Sequence, residues 1–294
     1  MIKTPLKFIL CILVYAIVFI ASNALMPFSQ GFKELAASGN SAGILFILVF
    51  AAWVCFTVFF IIRNTPWNGI KLFINIVFVV FFIQSLMTQI ETMFFSHAFS
   101  AFPKLDIVFV TLAGLFPVLV VVLLLVKFFQ NKDSAFEMNK IRIKSTFIRL
   151  GVIGVIYLFV YMFFGYFVAW QFEELRIFYT GSPEKLSFWG QTVNNFKTNP
   201  IIFPFQIIRG ILFGAAIIPI RNIVNKSKII FITSVCLLYL CTAIQLIIPN
   251  ALFPDMVRLA HLVEMSSSML LFGIIVGNIL WPVEPIILSP HTPW

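Results

Sequence analysis

Residues 72–95 read LFINIVFVVFFIQSLMTQIETMFF, and the reading of this stretch decides the fold. Up to Ile83 it is apolar except for Asn75, and the whole is long enough to cross a bilayer, which takes about 20 residues of helix. Beyond Ile83 it carries Gln84, Thr88, Glu91 and Thr92, whose spacing puts all four on one helical face. No water solvates polar groups in a hydrocarbon core, so a striped membrane helix needs polar partners from other helices.

The rest of the chain repeats the apolar half of that pattern. Of its 294 residues 61% are hydrophobic, 17% aromatic and only 11% charged, with 37 Phe. Soluble domains are about 45–50% apolar and about 25% charged. A water-soluble globule, a disordered chain, a collagen and a secreted disulfide scaffold are therefore excluded. Cys11, Cys55, Cys236 and Cys241 all fall in apolar runs and read as small buried residues. The expected fold is all-α, a single polytopic membrane domain of eight spans: 8–27, 43–62, 72–95, 107–129, 150–170, 201–220, 229–248 and 259–281. The apolar run of the first span exceeds that of a signal peptide, so it is expected to be retained.

Net charge is +9, and its placement predicts orientation. With the N-terminus in the cytoplasm, the inside connections hold Lys3, Lys7, Arg63, Lys71, Lys127, Lys132, the basic run Lys140-Ile141-Arg142-Ile143-Lys144, Arg149, Arg221, Lys226 and Lys228. The outside connections hold only Lys33, Lys104, Arg176, Lys185, Lys197 and Arg258. This bias predicts that both termini are cytoplasmic, in a cell (inner or plasma) membrane. The outer connection 171–199 is the longest. Ser182-Pro183-Glu184 looks like a helix start, and Leu186, Trp189, Val193 and Phe196 recur at helical spacing, predicting an amphipathic surface helix.

Polar residues inside spans mark the candidate site. Span six carries Gln206 and Arg209 on one face, with Arg209 about 13 Å down the helix, too deep to reach water. Span seven carries Gln245, and span eight carries His261, Glu264 and Ser268 on one face. A second face of span eight, Ser266, Gly273 and Gly277, and a groove at Gly210 and Gly214 in span six predict close helix packing. All the polar stripes lie in the outer halves. They predict one outward-opening pocket built by spans three, six, seven and eight.

Such a pocket admits three functions. One is recognition, with or without processing, of an amphiphile whose anionic head group meets Arg209. Gln206, Gln84, Gln245 and Ser268 would then bind it, and His261, Glu264 and Glu91 would perform acid–base work. The second is a transporter or transporter subunit with a proton-coupled site. The third is a structural polar network without chemistry, whose hydrogen bonds contribute about 0.6 kcal/mol each. A sealed apolar floor would favour the first and a polar track past Asn75 and Asn278 the second. His261-x-x-Glu264 is a weak metal motif with one such pair where a dinuclear site needs two, so no metal is assigned. No Gly-rich phosphate loop, nucleotide motif or nucleic-acid module is present, the sequence leaves any cofactor open, and the expected partners are membrane lipids and an amphiphilic small molecule.

Glu173-Glu174-Leu175-Arg176 resembles the glutamate-pair motif of CAAX-type intramembrane proteases. In that family the Arg is set further from the pair and two well-spaced histidines follow; here only His261 lies in a later span. The segment reads as a charged helix end, and loss of Arg176 is expected to matter little. Short echoes between the halves, Gly43-Ile44-Leu45-Phe46 with Gly210-Ile211-Leu212-Phe213 and Ile83-Gln84 with Ile244-Gln245, leave a four-plus-four repeat open.

Overall fold

The computed structural model describes residues 4–38, 43–98, 103–131, 143–224, 227–250 and 253–281. Much of the basic run at 140–144 and both termini lie outside them. The described residues are helical and contain no strand. Eight helices are long and apolar enough to cross a membrane: Thr4–Leu25, Gly43–Arg63, Gly69–Phe94, Lys104–Phe129, Lys144–Gln171, Ile202–Ile223, Lys228–Ile247 and Asp255–Leu280. They are spans one to eight. Most start a few residues before the apolar run because their first turns carry polar groups. Span four follows Pro103 with Asp106 in its first turn, and span eight follows Pro254 with Asp255, where a carboxylate meets the positive end of the helix dipole. Buried Asp106 also accepts from the backbone N–H of Ser29 at 2.9 Å.

The spans pack in a closed circuit. Span one contacts span four, then the order runs three, six, five, eight, seven, two and back to one. Shifting every span by four places returns the same circuit. Three cross-contacts obey the same rule, two meeting four as six meets eight and three meeting seven, while a smaller contact of six with seven does not. Spans four places apart run in the same direction, so the two four-span halves are arranged alike about an axis along the bundle. The sequence echoes fall on corresponding spans, two with six and three with seven.

Small residues set the closest crossings. A Cβ on Gly210 would meet Tyr157 Cβ and lie 2.9 Å from Gly154 Cα, so spans five and six touch almost backbone to backbone. Gly273 and Gly277 play the same part against Cys236 and Ile232 of span seven, at 3.0 Å from their Cα atoms. The predicted grooves of spans six and eight are thus used, each against its sequence neighbour. Hydrogen bonds add cross-links: Ser22 Oγ donates to Ala113 O and Tyr239 Oη to Phe213 O, both at 3.0 Å.

The two ends of the bundle differ in charge. At the end where spans two, four, six and eight begin lie Glu34, Asp106, Glu173, Glu174, Glu184 and Asp255, mixed with basic residues. At the opposite end the described residues include Lys7, Arg63, Lys71, Lys127, Lys144, Arg149, Arg221 and Lys228 and no Asp or Glu. Arg149 there caps the end of span eight, donating to the carbonyls of Ile279 at 2.9 Å and Trp281 at 3.3 Å.

Candidate functional site

The acid-bearing end encloses a cavity of about 430 Å³. Span three gives it Gln84, Ser85, Thr88, Gln89, Glu91 and Thr92. This helix changes to π-helical winding over Phe82–Leu86, so the stripe is not simply the α-helical face read from spacing. The bulge faces Gly114 of span four, where a Cβ would collide with Ser85 Oγ. Span seven adds Thr242 and Gln245, and span eight adds His261, Glu264 and Ser268.

Span six behaves differently from expectation. Its cavity contribution is Ile202 near the rim, whereas Gln206 and Arg209 lie outside the wall. Arg209 is 1% exposed and grips Glu91 from behind. Its Nη1 and Nη2 donate to Glu91 Oε1 and Oε2, each at 2.7 Å, and Nη1 also donates to Gln206 Oε1 at 2.8 Å. The rings of Tyr157, Phe205 and Phe213 surround the guanidinium at 5.6–5.8 Å. An anion in the cavity would meet Glu91 before Arg209, so the expected direct contact of Arg209 with an anionic head group does not fit this arrangement. Span five takes the place foreseen for span six, supplying Tyr157, Val160, Tyr161 and Gly165. Tyr157, Tyr161 and Gly165 recur every four residues, a signal in the sequence hidden by the surrounding aromatic excess.

The wall also contains a residue that no span supplies. Beyond span five the chain forms a helix at Glu173–Thr180, closed by Gly181 in the left-handed region at φ 73°. Glu173 and Glu174 are exposed at its first turn and Leu175 is buried, as a charged helix end should be. Tyr179 of this helix reaches His261, with Oη 3.0 Å from Nε2. On the other side of the imidazole, Nδ1 is 3.8 Å from Glu264 Oε2, and Ser268 Oγ donates to Glu264 Oε1 at 3.2 Å. Burial, then the nearby carboxylates of Glu91 and Glu264, hold the Tyr179 phenol well above its usual range. The phenol therefore stays protonated, and the imidazole tautomer sets which of Oη and Nε2 donates in this bond. Tyr179, His261, Glu264 and Ser268 form one polar line along the wall.

A surface helix covers the cavity. It spans Phe188–Thr198, with Ser187 as N-cap accepting from Gly190 N–H at 3.1 Å. The start foreseen at Ser182-Pro183-Glu184 is instead a turn in which Ser182 Oγ accepts from Glu184 N–H, because Gly181 has just ended the preceding helix. Gln191, Thr192 and Asn195 face the cavity, while Trp189 (74% exposed), Val193 and Phe196 face outward. Arg176 pins this region: it is buried and donates to the carbonyls of Pro183, Trp170 and Gln171. The expectation that Arg176 matters little is thereby corrected.

The floor is apolar. One turn beneath the wall residues Thr242 and Ser268, on the side toward the basic end, Tyr239 stacks on Phe272 at 5.4 Å and both pack on buried Phe213, a layer behind the cavity lining itself. Further down, Asn75, Ser234 and Asn278 donate to carbonyls of their own helices, and Asn278 faces outward. Among the described residues no group of three His, Cys, Asp or Glu is placed to hold a metal. Comparison with protein-family models, curated proteins and solved structures finds no match.

Proposed function

We propose that this chain is a multi-pass membrane protein that recognises an amphiphile in a cavity opening away from the cytoplasm. The observation carrying this reading is the buried aromatic layer of Phe213, Tyr239 and Phe272, packed beneath the cavity wall on the side toward the basic end. Orientation follows from the basic end, which the positive-inside rule assigns to the cytoplasm. The surface helix suits an interface, with its apolar side toward lipid and its polar side toward the cavity. Apolar and aromatic wall residues suit an alkyl chain, and the Tyr179–His261–Glu264 line suits a polar head. His261, held between a phenol and a carboxylate, has the arrangement of a general base with an orienting partner, which would equip the site for proton transfer on the bound molecule. Arg209 serves this site through Glu91 and does not touch the ligand.

Transport is the second reading, favoured by one observation. Two alike four-span halves meet around the cavity, and repeat interfaces are where transporters bind their cargo.

Gly165 offers a clean test, because a Cβ there meets nothing within 4 Å and the residue lines the cavity. Gly165→Phe should fill the cavity without disturbing the fold. Saturable binding of radiolabelled dodecanol to the purified chain is expected, and its loss in Gly165→Phe at an unchanged unfolding midpoint. Binding unaffected by the substitution would refute the cavity as the site. In sealed vesicles, protein-dependent movement of dodecylamine across the bilayer would favour transport.

A further inference from the structure

The amphiphile reading leaves the head group open, and the wall chemistry narrows it. We propose that the cavity selects an amphiphile headed by an ammonium group, held between the Glu264 carboxylate and the aromatic rings beside it. The proposal rests on the reading above and deepens it.

Charge is the first argument. Among the described residues no Lys or Arg lines the cavity. Arg209, behind the wall, is locked to both oxygens of Glu91, so that pair is neutral as a unit. Glu264 has no such partner. It is 9% exposed, and the groups facing it are the Ser268 hydroxyl at 3.2 Å and the His261 imidazole at 3.8 Å. A buried carboxylate needs more than a hydroxyl to replace its hydration, and a cation supplies it. An anionic head would add like charge beside Glu264 and Glu91.

Hydrogen-bonding capacity is the second. Gln84 is 3% exposed; its Nε2 donates to Tyr15 Oη at 2.9 Å and its Oε1 has no partner. Gln89 Oε1 is likewise unpartnered. Both belong to the wall, where Trp170 Nε1 is the unpartnered donor. An ammonium carries donors and no acceptor, so it matches the acceptors left open.

The rings are the third. Tyr179 and Phe253 flank His261 with centroids at 5.8 and 5.4 Å, and Phe95 lies 5.9 Å from Tyr179. Aromatic faces attract cations and give nothing to anions.

The test uses three dodecyl probes bearing a diazirine and headed by an amine, a phosphate or a hydroxyl. Each is photolysed with the full chain in nonionic micelles, and crosslinked peptides are mapped. The amine probe is expected to label cavity residues at roughly tenfold lower concentration than the other two, a preference of about 1.4 kcal/mol that is lost in E264Q. The chain's net charge of +9 would by itself draw the phosphate probe, so an amine preference is not a bulk effect. A phosphate preference, or an amine preference that survives in E264Q, overturns the proposal. Equal cavity labelling by all three overturns it while the amphiphile reading stands; no cavity labelling by any probe overturns both. The ranking is read in the unaltered chain, so it holds even where E264Q fails to accumulate. Competition by n-butylamine as well as dodecylamine would support a site for the ammonium itself, and competition by dodecylamine alone a site that also requires the chain.

Discussion

Arg209 holds Glu91 by both carboxylate oxygens at 2.7 Å, and it does so from behind the cavity wall. The pair joins span six to span three in the middle of the circuit. Removing Arg209 strands the Glu91 carboxylate, a quarter exposed to the cavity, at a cost of up to about 3–5 kcal/mol, whereas removing both does not. R209M should therefore lower the unfolding midpoint sharply in detergent, and the double variant R209M/E91M should recover most of the loss. A double variant no more stable than R209M would show that the two residues act independently.

Arg176 should matter through the lid. It ties three carbonyls across the turn between the two short helices. R176A leaves those groups without their charged donor, at about 1–3 kcal/mol locally. Faster amide hydrogen exchange at 171–199 is expected, with exchange in the spans unchanged. Identical exchange in both proteins would rule this role out.

Glycine positions should divide sharply. Gly210→Ala forces a methyl into Tyr157 and Gly154, and overpacking of this kind costs about 1–3 kcal/mol. Gly151→Ala, inside a helix and where a Cβ meets nothing within 4 Å, should not lower the midpoint and can raise it by the helix preference of Ala. Equal midpoints for the two variants would mean that spans five and six are not so close.

Tyr179 supplies a pH prediction. Its folded pKa is raised above the unfolded value of about 10, so the stability it contributes is present below that pH and is lost as pH rises through the folded pKa. Between pH 7 and 11 the phenolate absorbance at 295 nm should rise equally in the parent and in Y179F. An extra rise in the parent would mean that Tyr179 ionises in the ordinary range.

Orientation is tested by cysteine labelling, since the native cysteines are buried. Exposed Glu184 and Arg63 lie at opposite ends. An impermeant maleimide should label E184C in intact cells and R63C only after permeabilisation. The reverse pattern would invert the protein.

The polar stripes were legible in sequence because a charged or amide group in an apolar helix stands out whatever its surroundings. Gln84, Glu91, Gln245, His261, Glu264 and Ser268 do share one cavity. Tyr179 was not legible: an aromatic residue in a loop carries no signal until a helix turned by Gly181 aims it at His261. Nor could spacing along span three register the π-helical turn at Phe82–Leu86, which sits against Gly114 of span four.

Sequence alone determined that the chain is all-helical, where its eight spans run and how basic charge divides between its ends, because hydropathy and charge are sums over neighbouring residues. Tertiary structure alone decided that Arg209 turns from the cavity toward the back of Glu91, that span five replaces span six in the wall, and that an aromatic layer packs beneath it. These depend on which helix faces meet, and that is settled by packing between distant residues such as Gly154 and Gly210, whose lack of side chains lets two backbones close and fixes the rotation of both spans.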